Sequence, residues 1–237
     1  MKTLTILAAV TLFALGMLQC GGGPTDPSGT RTAIADFSYG QHQWEPGFAD
    51  YPVGQEAFYE LEAEHRNLPV PLDTSKRGLY ISGNNHSDDL FMFWKGQIVG
   101  LVPNRTYLAS FNLEFATNVP SGCGGVGGPP GESVYVKAGA TEIEPEAIDL
   151  GGFYQMNIDK GNQSQGGEDA VVLGDVASSQ ECGQGTPQWE LKQLSSAETV
   201  EVASDGDGRV WVFMGSDSGF EATTSLYYTR IAVTFDP

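Results

Sequence analysis

The chain contains few histidines, cysteines and positively charged residues. Its 237 residues include three histidines, three cysteines and 12 lysines and arginines. His42 and His65 have no acidic or histidine partner at a useful spacing, so the sequence gives little support to a zinc site or a histidine-based catalytic triad. With 30 acidic residues the formal net charge is −18, and such a field repels nucleic acid and anionic membrane surfaces. We therefore expect no nucleic-acid partner. The charge is compatible with cation binding, but a solvated acidic surface on an exported protein is the simpler explanation.

Motifs that mark common catalytic or nucleotide-binding sites are also missing. The chain has no Gly-x-Ser-x-Gly elbow, no P-loop and no dinucleotide fingerprint. The glycine-rich stretch Gly124–Gly128 is not followed by a helical pattern that could cradle a phosphate. These absences favour a non-catalytic protein and leave enzymatic activity open.

The first twenty residues are the most informative stretch that is present. Lys2 precedes an apolar run, Leu4–Leu18, that is shorter than the about 20 residues that a transmembrane helix needs. This pattern predicts a secretory signal peptide over residues 1–19. Cys20 and the spacer behind it resemble the lipobox of bacterial lipoproteins. The resemblance implies that Cys20 is lipidated and that residues 20–32 tether the protein to a membrane of the cell envelope, at the outer membrane or cell surface. An ordinary cleaved signal peptide and an uncleaved anchor are the alternatives.

With Cys20 assigned to the lipid, Cys123 and Cys182 remain as a pair. Both lie in Gly-rich loops, and exported proteins reach an oxidising compartment in which disulfides persist. We predict a disulfide between them, which would close a loop of about 60 residues. A metal role is not favoured, because no further Cys or His lies at ligand spacing near either one.

From Ala33 onward the hydrophobic pattern has a period of two, which is typical of strands. Thr106–Thr117 is the clearest example, and Ala57–Ala63 behaves likewise. Leu90–Trp94 and Val210–Met214 are apolar on both faces, which predicts central strands covered on both sides. Glu144–Leu150 could make one short helical turn. Ten or more strands in one domain, residues 33–237, predict an all-β fold, an antiparallel two-sheet β-sandwich.

The two ends of this domain resemble jelly-roll, galactose-binding-like carbohydrate-binding modules. Asp36–Gly40, followed by Trp44 and Gly47, resembles their first strand and Trp-bearing loop, and Leu226–Val233 resembles their last strand. The resemblance implies a jelly-roll sandwich that binds carbohydrate. The middle of the chain resembles an uncharacterised group of bacterial exported proteins over Ser82–Phe93, Pro130–Gly139 and Asn157–Ser164.

Three polar, Gly-rich stretches next to strands could carry a site, namely 84–89, 131–137 and 159–169. Binding residues concentrate on loops that a rigid scaffold holds, so we expect the three stretches to meet at one end or face of the sandwich. Separate solvated loops are the alternative. Trp44 is the best candidate for an exposed ring on which a sugar could stack. The candidate ligand-binding residues are Trp44, His86, Asp88, Asp89, Glu132 and Lys137.

The stretch 159–169 also carries the oxygen-bearing side chains that calcium prefers. The candidate ligands are Asp159, Asn162, Glu168 and Asp169, although their spacing does not fit an EF-hand. Calcium is therefore a possible cofactor, and a solvated loop is the simpler alternative.

Taken together, these features predict an envelope lipoprotein with a non-catalytic binding domain, directed at carbohydrate. One alternative is a glycan-directed hydrolase that uses paired carboxylates. The other is a structural lipoprotein that binds another envelope protein. A large exposed apolar patch on the surface would favour this alternative.

Overall fold

A computed structural model describes residues 29–237. The signal segment, Cys20 and most of the tether lie outside this range. Residues 29–237 form strands joined by turns, and among them no helix has the length and apolar character to cross a membrane. In this part of the chain the strands are β1 (Arg31–Asp36), β2 (Glu45–Ala49), β3 (Tyr51–Pro52), β4 (Glu62–Asn67), β5 (Arg77–Asn84), β6 (Leu90–Val99), β7 (Thr106–Thr117), β8 (Val119–Ser121), β9 (Val134–Thr141), β10 (Ala147–Asp149), β11 (Phe153–Met156), β12 (Ala170–Asp175), β13 (Ala177–Glu181), β14 (Glu190–Ser195), β15 (Val200–Ala203), β16 (Arg209–Ser218) and β17 (Thr223–Asp236).

Two antiparallel sheets pack face to face. Sheet A has the order β14-β7-β17-β5-β4, with β1 also paired to β17 and β15 also paired to β7. Sheet B has the order β12-β9-β16-β6-β2. The chain passes from one sheet to the other and back, since β5, β7 and β17 lie in sheet A whereas β6, β9 and β16 lie in sheet B. This alternation gives the jelly-roll sandwich that the sequence predicts.

The main core lies between the two sheets and is built by alternating side chains. On β7 the inward residues Tyr107, Ala109, Phe111, Leu113 and Phe115 are all buried in this core, and their neighbours along the strand face outward. Burying each large apolar side chain contributes about 1.5–3 kcal/mol relative to leaving it exposed. The strand predicted over Thr106–Thr117 is confirmed with the same limits.

A third layer covers the outer face of sheet B. It consists of the small sheet β10-β11-β3 and the loops around it, and we call residues 142–169 the covering segment. Phe91, Phe93 and Phe213 project from sheet B into a second apolar cluster against Met156 and Ile158 of this segment. The prediction that β6 and β16 are covered on both sides is confirmed. The helical turn predicted over 144–150 is wrong, because Ala147–Asp149 pairs with β11 as a short strand.

Two further details of the fold bear on the sequence predictions. The disulfide between Cys123 and Cys182 is present and joins the loops that follow β8 and β13. The strand predicted over Ala57–Ala63 is wrong for most of its length, since β4 begins only at Glu62. Tyr59 is buried there as part of a turn, with its backbone N–H donating to the carbonyl of Gln55 at 2.9 Å.

Candidate functional site: a polar cleft beside an aromatic wall

The loop between β5 and β6 is held in place by Asn85. Its side chain is buried and donates hydrogen bonds to the carbonyls of Ser218 at 2.7 Å and Phe220 at 3.1 Å. The Asn85 side-chain oxygen accepts the backbone N–H of Ser87 at 3.0 Å. This anchoring leaves His86 and Asp88 exposed on the loop and turns Asp89 toward the interior, where it is half-buried.

The loop of residues 159–169 is closed by its own carboxylates. Asp159 accepts the backbone N–H groups of Gly161 and Glu168, each at 3.0 Å, and Asp169 accepts the N–H of Asp159 at 2.8 Å. The hydrogen bonds from Glu168 and Gly161 lower the pKa of Asp159. Asn162 and Glu168 are exposed. Asp159 and Asp169 thus act as loop-closing acceptors, and calcium at the four predicted residues stays a prediction.

Five charged groups meet where these two loops reach sheet B. Lys137 and Asp217, from the neighbouring strands β9 and β16, form an ion pair of 2.8 Å with both side chains fully buried. Lys160 lies 2.9 Å from Asp217 and 2.9 Å from Asp50, which follows β2. Lys137 also donates to the carbonyl of Lys160 at 3.0 Å. These bonds fasten the covering segment to sheet B. Asp89 completes the group, because oxygens of Asp50, Asp89 and Asp217 lie within 4.8 Å of one another.

Burial and ion pairing raise the pKa of some of these acids and lower that of another. Burial raises the pKa of Asp89 to about 7, and the neighbouring charges of Asp50 and Asp217 add to the effect. Burial also raises the pKa of Asp50 in spite of Lys160. Burial opposes ionisation of Asp217, but Lys160 and Lys137 outweigh it and lower the pKa of that carboxyl. Asp89 is therefore the acid of this group that can hold a proton near neutral pH.

A cleft of about 210 Å³ opens over these charges. It lies between the β5–β6 loop and the covering segment, and the Gln163 side chain spans the two by donating to the Asp88 carbonyl at 2.7 Å. Carboxylates, amides and one ammonium group make up its polar lining. The lining residues are Asp50, Asp89, Gln155, Met156, Ile158, Asp159, Lys160, Gly161 and Asn162.

A set of contacting aromatic rings, which we call the aromatic wall, lies on chain segments that adjoin residues of this cleft. Phe58 is 57% exposed, and its ring stacks on that of His86 with centroids 4.1 Å apart and an interplanar angle of 24°. Tyr59 contacts His86 edge-on, and Tyr51 packs against Tyr59 and Tyr154. Along the chain, Tyr51 and Tyr154 adjoin the cleft residues Asp50 and Gln155, and His86 lies on the same loop as Asp89, whereas none of these rings is among the residues that line the cleft.

A larger cleft of about 430 Å³ lies on the other side of the segment 157–159. Its acids are Glu142, Asp159, Asp169 and Glu201. As in the smaller cleft, none of the described residues that line it is aromatic. Among those described residues there are four acids and no lysine or arginine, so hydrogen-bond acceptors dominate this cleft.

The structure corrects the prediction that Trp44 is an exposed platform. Trp44 is 3% exposed, packs edge-on against Phe37, and lies in the main core. Its ring covers the backbone of Gly96 so closely that a Cβ there would lie 2.6 Å from the indole. Glycine at position 96 thus makes room for the indole between the sheets, and Trp44 cannot meet a ligand.

Lys137 is also too deeply buried to contact a ligand as predicted, whereas ligand binding by Glu132 stays a prediction. Lys137 is 0% exposed, so it acts on the cleft only through Asp217 and the loop carbonyls that it binds. Glu132 accepts the backbone N–H of Gly122 at 2.7 Å, next to the disulfide loop. By contrast, the stretches 84–89 and 159–169 do meet, and Asp89 and Asp159 line the same cleft.

Sequence reasoning missed Asp50, Asp217 and Phe58. A signal for Asp217 exists, since it is a charged residue at the end of the otherwise apolar run of β16, just as Lys137 is the single charge of β9. Two opposite charges on strands expected to be buried indicate a buried pair. Asp50 and Phe58 lie in turns, and no local pattern distinguishes them from solvated turn residues.

Comparisons with known proteins give structural neighbours only. No family model matches the chain, and no curated protein matches it. The enzymatically active domain of bacteriophage CBA120 tailspike protein 4 is similar at 10% identity and a TM-score of 0.34, over 79% of this chain and 19% of that one. TmCBM61 in complex with β-1,4-galactotriose is similar at 7% identity and a TM-score of 0.34, over 81% of this chain and 87% of that one. Promiscuous carbohydrate-binding modules of the β-sandwich superfamily are similar at 12% identity and a TM-score of 0.30, over 86% of this chain and 56% of that one. The chain spans about a fifth of the tailspike domain, and likeness at this level assigns neither a family nor a ligand.

Proposed function

We propose that this protein is a non-catalytic glycan-binding protein of the cell envelope, and that the glycan binds in the 210 Å³ cleft. The observation that carries the proposal is that the β5–β6 loop bears both His86, whose ring stacks on the exposed Phe58, and Asp89, which lines the polar cleft. Its volume is below the roughly 300–1,000 Å³ of pockets for drug-sized ligands, which suits one sugar unit or the end of a chain.

The chemistry of the cleft matches the two surfaces of a sugar. Hydroxyl groups need acceptors and donors, and Asp89, Gln155 and Asn162 of the cleft lining supply both. The C–H face of a sugar ring needs an apolar plane, which the open part of the Phe58 ring provides. The acidic lining and the net charge of −18 favour neutral or amino sugars over sugars that carry carboxylates or sulfates.

The state of the other carboxylates supports binding rather than hydrolysis. A retaining or inverting glycosidase needs a second free carboxylate opposite its acid. Asp50 is held by Lys160, and Asp159 already accepts two backbone N–H groups. One observation favours the hydrolase as a second candidate, namely that the pKa of Asp89 is about 7, which suits a general acid.

The envelope location rests on the N-terminal sequence. Lys2, the apolar run and Cys20 together support lipidation of Cys20, with the sandwich carried on the tether behind it. A mass spectrum of the mature N-terminal peptide tests this proposal. Diacylated or triacylated Cys20 is the expected result, and an unmodified terminus would refute the lipid anchor without affecting the proposed cleft.

A glycan array probed with the full chain tests the binding proposal. We expect binding to a neutral or amino-sugar glycan, with affinity about fivefold lower for Phe58→Ala, because one stacking contact is worth roughly 1 kcal/mol. Tyr39→Ala is the matched control, since Tyr39 is an 85% exposed aromatic residue outside the cleft. No binding by the wild-type chain would refute the proposal. Release of reducing ends by wild type, abolished in Asp89→Asn, would establish the hydrolase instead.

A further inference from the structure

A buried lysine and a buried aspartate are held in contact on two neighbouring strands of sheet B. Lys137 Nζ lies 2.8 Å from Asp217 Oδ2, and both side chains are completely buried. In the register of β9 and β16, Lys137 pairs with Gly215, two residues before Asp217. The carbonyls of Lys160 and Gln165, each 3.0 Å from Nζ, hold the end of the Lys137 side chain in place. An amine-bearing and a carboxyl-bearing side chain are thus positioned as an amide bond between them requires.

The two oxygens of the Asp217 carboxyl group have different partners. Oδ2 receives Lys160 Nζ at 2.9 Å and the backbone N–H of Gln163 at 3.0 Å, in addition to Lys137. The side chain of Asp89 hydrogen-bonds the same carboxyl group. Since Oδ2 already has three donors, we assign the bond from Asp89 to Oδ1. One oxygen therefore faces donors that can stabilise a negative charge, and the other faces an acid.

The protonation of these groups is compatible with a condensation. Burial raises the pKa of Asp89 to about 7, so near neutral pH Asp89 carries the proton of its bond to Asp217. Burial lowers the pKa of Lys137, which brings its neutral and nucleophilic form closer to neutral pH. Transfer of one proton from the Lys137 ammonium to the Asp217 carboxylate gives a neutral amine and a neutral acid. Burial lowers the cost of this transfer, because a dry environment disfavours both charges.

We propose that Lys137 and Asp217 condense to an intramolecular isopeptide bond, with Asp89 as the catalytic acid and base. Nζ forms a bond to Cγ of Asp217, and Lys160 and the N–H of Gln163 stabilise the negative charge that develops on Oδ2. Asp89 gives its proton to Oδ1 and recovers one from Nζ. Of the three protons on Nζ, one stays on the amide nitrogen. The other two leave with Oδ1 as water, one through the carboxyl group and one by way of Asp89, so atoms and charge balance.

The fold supplies conditions that favour the amide over the separate groups. Intramolecular reactions between well-oriented groups have effective molarities of about 10⁵–10⁸ M, which offsets the tendency of amides to hydrolyse in water. Asp217 pairs with Phe91 in the register of β6 and β16, and the Phe91 ring lies in the apolar cluster under the covering segment. Asp89 and Lys160 line the 210 Å³ cleft, so the water that is released can leave there. The bond joins β9 to β16 directly below the cleft.

Two other lysine–carboxylate pairs serve as internal controls. Lys95 and Glu144 lie 2.6 Å apart, and Lys192 and Asp175 lie 2.8 Å apart, but both pairs are partly open to solvent. Water stabilises the charges of these pairs, and a hydrated ammonium group is not a nucleophile. We therefore expect both to remain ion pairs. The isopeptide bond does not depend on the proposed glycan function and is measured without a glycan.

Peptide mapping by mass spectrometry tests the proposal on the purified full chain after reduction and digestion with trypsin. Acylated Lys137 resists trypsin, so we expect a branched peptide in which residues 106–160 are joined to residues 210–230. Its mass should be lower than the sum of the two peptides by one water molecule, and fragment ions should place the junction at Lys137 and Asp217. Trypsin should cleave normally after Lys95 and Lys192.

Variants separate the roles of the participating residues. Lys137→Arg keeps the positive charge but lacks the amine, so the branched peptide should be absent. Asp89→Asn keeps the size of the side chain and its ability to donate a hydrogen bond, but it cannot exchange a proton. It should lower the cross-linked fraction by a factor of about ten or more. Asp207→Asn is the control, because Asp207 is an exposed acid in the β15–β16 turn and should leave the cross-link intact.

Three results would overturn the proposal. One is the recovery of only linear peptides 138–160 and 210–230 from the folded wild-type chain. Another is a loss of water that fragmentation places at residues other than Lys137 and Asp217. The third is a cross-linked fraction in Asp89→Asn equal to that of wild type, which would remove Asp89 from the reaction. Cooperative urea unfolding of Asp89→Asn shows that a missing cross-link in this variant does not result from misfolding.

Discussion

The ammonium group of Lys137 lies 2.8 Å from the carboxylate of Asp217, and neither side chain is exposed. The register of β9 and β16 pairs Lys137 with Gly215 and Asp217 with Tyr135, so the two charged residues are diagonal neighbours on adjacent antiparallel strands. Burial disfavours both charges, so each depends on the other, and burial lowers the pKa of Lys137 even beside its partner. The pair stands under the cleft and anchors the covering segment through the carbonyls of Lys160 and Gln165.

Lys137→Met should destabilise the protein by about 3–5 kcal/mol, because it leaves a buried carboxylate with less compensation. Lys192→Met is the matched control, since Lys192 pairs with Asp175 at the same distance of 2.8 Å but both side chains are partly exposed. The free energy of unfolding of Lys192→Met should fall by less than about 1 kcal/mol. Urea unfolding of the two variants measures the difference, and equal costs would contradict a buried pair.

The pKa of Asp89 predicts a specific pH dependence of stability. Its value rises from 3.8 to about 7 on folding, so between these values the folded chain holds a proton that the unfolded chain has lost. The contribution of Asp89 to stability is therefore largest at low pH and falls as the pH rises through this window. Relative to wild type, Asp89→Asn should gain stability as the pH is raised from about 4 to about 7 in EDTA buffer. A difference in unfolding free energy that stays constant with pH would refute this assignment, and Asp207→Asn should give such a constant difference.

The sequence predicts the sandwich better than it predicts the site, for a physical reason. Alternation along Thr106–Thr117 reports directly which side chains face the core, and that strand is found with the same limits. Alternation over Ala57–Ala63 is misleading, because Tyr59 is buried by a turn and not by a sheet. The site depends on contacts between distant segments, such as Lys160 with Asp217, which are 57 residues apart. Periodicity carries no information about such contacts.

Truncation of Trp44 should lower stability but not glycan affinity, and truncation of Phe58 should lower glycan affinity but not stability. Trp44→Ala removes a buried core ring and should cost about 3–5 kcal/mol of stability while leaving glycan affinity in the surviving folded protein unchanged. Phe58→Ala removes a ring that is 57% exposed and should change stability little while weakening glycan binding. Thermal unfolding and binding measured on both variants check this pair. Loss of glycan affinity in folded Trp44→Ala would contradict the position assigned to the site.

The disulfide should stabilise the domain substantially. Cys123 and Cys182 are 59 residues apart, and the chain-entropy model gives about 4 kcal/mol for a loop of this length. The double substitution Cys123→Ser with Cys182→Ser should lower the unfolding free energy by about 2–5 kcal/mol without affecting the cleft. Urea unfolding measures the cost, and a glycan affinity that falls together with stability would show that the disulfide loop takes part in binding.

The central claim is that a glycan binds in the cleft beside Phe58, and NMR mapping tests it most directly. A glycan selected on the array is titrated into labelled full-length chain in detergent, and backbone and side-chain shifts are followed. The account predicts saturable shifts concentrated at Phe58, His86, Asp89 and Gln155. Shifts confined instead to Tyr39, or to the outer face of sheet A around Tyr80 and Tyr227, would contradict it.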